Sequence, residues 1–271
     1  MSLPLPATLT PSKVAAFKDC ALAFRFSAID RLPDPPTAAT AKGTVVHLAL
    51  ERLFARYEPG GRTVEAALTE LDVAGSLVLS DPEYADIDAA AVLDQAEPLV
   101  RNYFALEDPN AVRAIGLELR LEATLGSMRL RGIIDRLDLE ADGSLTVVDY
   151  KTGRAPGVAY EQNKLGGVHF YAWLCEQVLG RRPARVQLLH LAEPMVIESL
   201  PTEQSVRGMA VRAGAVWAAV ERACEREDFR PKPGRLCDWC AYKAHCPAFG
   251  GDPSLASAAS SAVPAPVLQP A

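Results

Sequence analysis

No stretch of this 271-residue chain is long and apolar enough to span a bilayer. The N-terminus, MSLPLPATLTPSK, lacks the apolar run of a signal peptide, so the expectation is a cytoplasmic protein without membrane association. An excess of basic residues is also missing. The 28 Lys and Arg against 34 Asp and Glu leave a net charge of −6, which excludes a wholly basic nucleic-acid coat but not a local basic groove. There is no Gly-x-x-x-x-Gly-Lys-Ser/Thr loop, hence no ATP motor of that type. No Gly-x-Ser-x-Gly nucleophile elbow and no internal repeat occur. Six cysteines without an export signal read as thiols or metal ligands rather than disulfides. With 49% hydrophobic and 23% charged residues, the chain can form one large domain or two small ones.

The most informative stretch is Met128–Gly153, MRLRGIIDRLDLEADGSLTVVDYKTG. It reads as two strands joined by a turn at Ala141-Asp142-Gly143-Ser144. Alternation puts Ile133, Asp135, Leu137 and Leu139 on one face of the first strand, and Leu145, Val147, Asp149 and Lys151 on one face of the second. Two carboxylates and an ammonium thus stand where their neighbours ask for burial. An unpaired buried charge costs several kcal/mol, so something must compensate. A bound divalent cation would do so, and so would a structural ion pair; the hairpin alone leaves both open.

Around it, Thr10-Pro11-Ser12 starts a helix carrying Val14, Phe17, Leu22 and Phe24, with Cys20 inside it. After the break at Leu32–Pro36, a helix is expected over Thr40–Tyr57. His47, Leu50, Glu51 and Phe54 fall on one of its faces, which turns His47 inward as a core histidine or a metal ligand. Residues 62–106 read as a helical insertion with breaks near Gly75 and Asp81-Pro82. Ile115–Leu125 alternates as a half-buried strand, with Glu118 on its solvent face. A helix over Ala159–Leu179 between two strands, the second at Arg185–Leu191, predicts a parallel crossover. A long helix follows over Gln204–Glu227, containing Val211, Ala215, Ala218, Val220 and Cys224; Cys175 and Cys224 read as packing residues. Then come Cys237, Cys240 and Cys246 in a C-x2-C-x5-C cluster. Residues 250–271 are almost all Ala, Ser and Pro, the composition of a disordered tail.

Gly132-Ile-Ile-Asp135-Arg-Leu-Asp138 followed by Val148-Asp149-Tyr150-Lys151-Thr152-Gly153 resembles the core of PD-(D/E)XK nucleases. More narrowly it is similar to the RecB-like exonucleases, including the AddB and CRISPR-associated relatives. Gly43-Thr-Val-Val-His47 matches the histidine helix of that family. Cys20, Cys237, Cys240 and Cys246 match the one-plus-three cysteines of its iron–sulfur subgroup. One departure stands out: the family's Gln, four residues before Tyr171, is replaced by Gly167.

The resemblance implies an α/β, restriction-endonuclease-like core, a mixed central sheet flanked by helices. The domain would run over 1–249, and a cysteine cluster at 237–246 would join Cys20 to close the two ends of the chain. It implies a metal-dependent DNA exonuclease of repair or recombination, acting on single strands or ends, and served by a separate helicase or repair complex. Mg2+ or Mn2+ would be held by His47, Asp135, Asp149 and the main-chain carbonyl of Tyr150. Asp135, Asp149 and Lys151 would be catalytic, with Lys151 orienting water or stabilising developing charge. Tyr171 would position substrate or water. The four cysteines would hold a [4Fe–4S] cluster, with a four-cysteine Zn2+ site as the alternative. The alternative function is a DNA-end-binding or assembly module with weak nuclease activity; a zinc-stabilised interaction protein is a third.

Overall fold

The computed structural model describes residues 2–154 and 158–256. Part of the loop at Pro156-Gly157 and most of the expected tail, 257–271, lie outside the described residues. Two compact units emerge. One combines the residues up to Pro35 with Leu125–Arg129 and the chain from Val211 onward; the other combines Pro36–Thr124 with Leu130–Ala210. Among the described residues no helix is long and apolar enough to cross a membrane.

The first unit opens with α1 (Pro11–Asp19) and α2 (Ala21–Ala28). Thr10 caps α1, accepting from the Lys13 N–H at 3.2 Å. The single helix expected through Cys20 is two, because Cys20 itself takes an extended backbone (φ −157°, ψ 110°) and breaks the ladder. Leu22, Phe24 and Phe26 of α2 are buried with Val220, Cys224 and Phe229.

The second unit is an α/β fold. Helices α3 (Ala38–Arg56), α4 (Val64–Leu79) and α5 (Ala89–Tyr103) precede the strands β1 (Ala114–Leu125), β2 (Met128–Leu139) and β3 (Leu145–Lys151). Then α6 (Val158–Leu179) leads to β4 (Arg185–His190) and β5 (Met195–Ser199), and α7 (Glu203–Arg226) carries the chain back into the first unit. The sheet is five-stranded in the order β1-β2-β3-β4-β5. β3 pairs antiparallel with β2, Leu137 opposite Val147, and parallel with β4, Asp149 opposite Leu188. The mixed sheet flanked by helices agrees with the restriction-endonuclease-like expectation, crossover included. The hairpin strand β5 was not expected; it is only five residues long, and they alternate half-buried and exposed.

One face of the sheet, with Val148, Tyr150 and Leu189, packs on α3, α4 and α5 through Leu50, Leu53, Phe54, Ala96 and Val100. Gly75 does not break α4 as expected. Leu93 presses so close that a Cβ on Gly75 would lie 2.6 Å from it, so the glycine serves helix–helix contact. The buried stripe of α7 includes Cys224, an expected packing residue. Val206, Met209, Ala213, Trp217, Val220 and Cys224 are buried at helical spacing, whereas Val211 is 72% exposed.

Candidate active site

The chemistry-bearing residues of the second unit converge where β2, β3, β1 and α3 meet. Thr37 starts α3 with a capping box: it accepts from the Thr40 N–H at 3.2 Å, while Thr40 Oγ1 accepts from the Thr37 N–H at 2.8 Å. The helix lies so close to the end of β3 that a Cβ on Gly43 would stand 3.2 Å from Thr152 Oγ1. One turn on, His47 Nδ1 is 3.4 Å from Asp135 Oδ2, and its ring meets that of Tyr150 edge-on at 5.9 Å. The same Asp135 oxygen accepts from the Tyr150 backbone N–H at 2.7 Å. Asp149, 5% exposed, is ion-paired with Lys151 on the same strand.

Glu118 corrects the sequence reading. It does not face solvent: donor atoms of His47, Glu118 and Asp135 all lie within 4.8 Å of one another. The cause is a left-handed backbone at Glu118 (φ +43°), which interrupts the alternation of β1. Ile115, expected on the buried face, is 49% exposed, while Leu121 beyond the interruption is buried. No alternation rule predicts a left-handed glutamate, so the sequence held no direct signal for it.

The electrostatics are those of a crowded acidic pocket. Burial, then the charges of Asp135 and Glu51, raises the Glu118 carboxyl above the usual range. Burial raises Asp149 as well, against the opposing pull of Lys151, with Asp135 adding to the rise. For His47, burial pulls the pKa down, but the hydrogen bond to Asp135 and the charges of Asp135 and Asp149 win, and the net is a rise. Tyr171 joins the group from α6. Burial and the carboxylates of Asp149, Asp135 and Glu118 hold its hydroxyl well above the usual phenol range, and a hydrogen bond to Asp149 adds to this. Gly132 permits that approach, since a Cβ there would meet Leu174 at 2.8 Å and Tyr171 at 3.1 Å.

The opening assumption about the hairpin faces also needs correction. The face with Asp135 is not the more deeply buried one. Arg136, on the opposite face, is 0% exposed, and every residue of β3 before Lys151 is buried. Both faces of these strands are covered. The deepest charge is one whose importance the sequence did not reveal.

A divalent cation fits the donor set. Two carboxylates and an imidazole within 4.8 Å match the spread that ligand bonds of about 2.0–2.6 Å allow. Tyr150, whose N–H holds Asp135, also carries the carbonyl of the expected ligand set, and Asp149 directly precedes it in β3.

In the first unit, Cys20, Cys237, Cys240 and Cys246 all line one cavity of about 560 Å³. The Lys232 N–H points at Cys20 Sγ at 3.5 Å, and the Gly234 N–H at Cys237 Sγ at 3.4 Å. Cys175 and Cys224 are buried apart from it, as packing residues.

The sequence pattern of the PD-(D/E)XK nuclease superfamily matches residues 8–247. No curated protein matches the chain. Among solved structures, a Eubacterium rectale protein provisionally assigned as an exonuclease shares 12% identity at a TM-score of 0.48, covering 87% of this chain and 88% of its own. The structure of SSO0001 shares 14% identity at a TM-score of 0.36, covering 84% of this chain and 93% of its own.

Proposed function

The chain belongs to the PD-(D/E)XK nuclease superfamily, and from that premise we propose that it is a metal-dependent DNA exonuclease, RecB-like, working in repair or recombination in the cytoplasm. The observation that carries this reading is the convergence of His47, Glu118 and Asp135 beside the Asp149–Lys151 pair. A divalent cation bound there would neutralise phosphate charge and lower the pKa of the attacking water. His47, Asp135, Asp149 and the Tyr150 carbonyl would hold it, with Glu118 as an added oxygen donor. Lys151 would orient the water and donate to the charge that builds on the phosphate oxygens. Tyr171, tied to Asp149, would keep that carboxylate in place. A DNA assay with 5′- and 3′-labelled single- and double-stranded substrates, in Mg2+ and in Mn2+, tests the reading. Short products released from ends are expected; cleavage of a closed circle would overturn the exonuclease assignment.

Gly167 favours a second reading, a DNA-end-binding module with weak nuclease activity, because the family's Gln amide is missing there. End binding without nucleotide release in either metal would support it.

Metal binding should depend on pH through His47. A ligating imidazole must be neutral, and the Asp135 and Asp149 charges hold its proton to a higher pH than in a free histidine. Mn2+ affinity is therefore expected to fall as pH drops through a point above the ordinary histidine pKa of about 6.5. Titrations across pH 5.5–8.5 check this, with His47→Gln losing that inflection.

For the four cysteines we propose a [4Fe–4S] cluster tying the N-terminal helices to the C-terminal segment. All four cysteines line one cavity, and the cysteine pattern lacks the second C-x2-C that the short zinc pattern carries. The amide donors toward Cys20 and Cys237 would stabilise bound thiolates. Protein purified without oxygen is expected to be brown with about four irons per chain, and Cys240→Ser to lose both colour and iron. Colourless protein with one zinc would reject the cluster.

A further inference from the structure

The second unit contains a buried polar assembly that the proposed chemistry does not use. Arg136 is fully buried on the face of β2 opposite Asp135. Its Nε donates to Asp138 Oδ1 at 2.9 Å and its Nη2 to Asp138 Oδ2 at 2.9 Å. On the other side, Nη1 and Nη2 donate to the two Glu107 carboxylate oxygens at 2.5 and 3.0 Å. Nη1 also reaches the hydroxyls of Tyr150 at 2.8 Å and Tyr103 at 3.2 Å. The guanidinium stacks over the Phe54 ring, 4.5 Å from its centroid. A planar fork held on two sides by carboxylates and below by a ring is a fixed point in the core.

Tyr150 connects this fixed point to the acidic pocket. It lies between Asp149 and Lys151 in β3, with its ring on the Arg136 side. Its backbone N–H holds Asp135 Oδ2 and its ring packs against His47. Its own carbonyl belongs to the proposed ligand set. A small rotation of Tyr150 would therefore displace three donor groups together.

We infer that the Tyr150 hydroxyl, anchored on Arg136, is a positioning group that sets the spacing of the His47, Asp135 and Tyr150-carbonyl ligands from the opposite face of the sheet. The inference rests on the proposed metal site. Ligand-orienting partners of this kind change metal affinity even though they never touch the ion. The neighbouring Tyr103 hydroxyl provides the control. It binds the same arginine and also Glu107, at 2.6 Å, but its residue contacts neither Asp135 nor His47 in any hydrogen bond or ring pair described.

The test is Mn2+ binding, followed by electron paramagnetic resonance on the full chain without DNA. Tyr150→Phe is expected to bind roughly tenfold more weakly, the lower end for loss of a ligand-orienting partner, and Tyr103→Phe to bind as the wild type does. Both variants keep their rings, and urea unfolding should show comparable stability for the two. Equal binding by wild type and Tyr150→Phe, or equal weakening in both variants, would overturn the inference while leaving the metal site standing. If wild-type binding survives Asp135→Asn undiminished, the metal sits elsewhere, and the proposed site fails together with the inference built on it.

Discussion

Asp135→Asn and Lys151→Met should each lower metal-dependent DNA degradation by about a thousandfold, near the upper range for removing one preorganised charge-stabilising group, while circular dichroism stays unchanged. The two variants fail for different reasons. Asparagine keeps an oxygen to accept the Tyr150 N–H at Asp135's place, so β2 and β3 stay locked. It loses the negative charge that, with Glu118 and His47, defines the acidic pocket. The deficit should therefore appear as a weaker metal requirement curve as well as a lower rate. Lys151 is partly exposed, 37% at the side chain, so methionine there disturbs little packing. Its loss leaves Asp149 buried beside Asp135 without its paired ammonium. Burial already favours the protonated form of Asp149, so the fold can absorb the change by keeping a proton. With metal bound, the missing ammonium should lower the rate at saturating metal. Full activity in either variant would sink the site assignment.

The residues of that pocket were unevenly legible in the sequence. Asp149 and Lys151 could be read because β3 is regular and short, so parity alone places both on one side. His47 could be read because α3 is long, well capped and periodic. Glu118 was hidden by a backbone event, a positive φ that no composition or periodicity rule anticipates. Cys20 could be picked out only through the family resemblance, because the apolar helical pattern runs through it; the chain turns extended there and sets the residue on the cavity wall. Arg136 was not singled out, for a third reason. Its letter in the sequence gives no sign of burial; Asp138, two residues along β2, and Glu107, from the segment after α5, supply the carboxylates that let it be buried. The crossover topology was legible because it follows from element order and handedness. Long-range partners of buried charges, such as Glu107 for Arg136, depend on contacts far apart in the chain and were not.

Arg136→Met is expected to destabilise the protein by about 3–5 kcal/mol, the range for breaking a buried ion network by removing one partner. Methionine matches the length of the aliphatic stem and can still cover Phe54, so the effect isolates the guanidinium. Without it, Glu107 and Asp138 face each other across the core with no cation, their side chains only 18% and 10% exposed. Burial already raises Asp138, with Arg136 opposing that rise. In the variant Asp138 should hold its proton to a higher pH than in the wild type, which limits but does not cancel the loss. Tyr103 can then satisfy only Glu107, and Tyr150 loses its one hydrogen-bond partner described at the hydroxyl. Asp138→Asn should be much milder, because Arg136 keeps the bidentate Glu107 and the amide still accepts one N–H. Urea unfolding by tryptophan fluorescence ranks the three proteins. Wild type above Asp138→Asn above Arg136→Met is the order the geometry requires. An Arg136→Met protein as stable as wild type would mean that hydrophobic packing replaces the network at no net cost, a result seen when whole buried ion clusters are exchanged but not expected when both carboxylates remain.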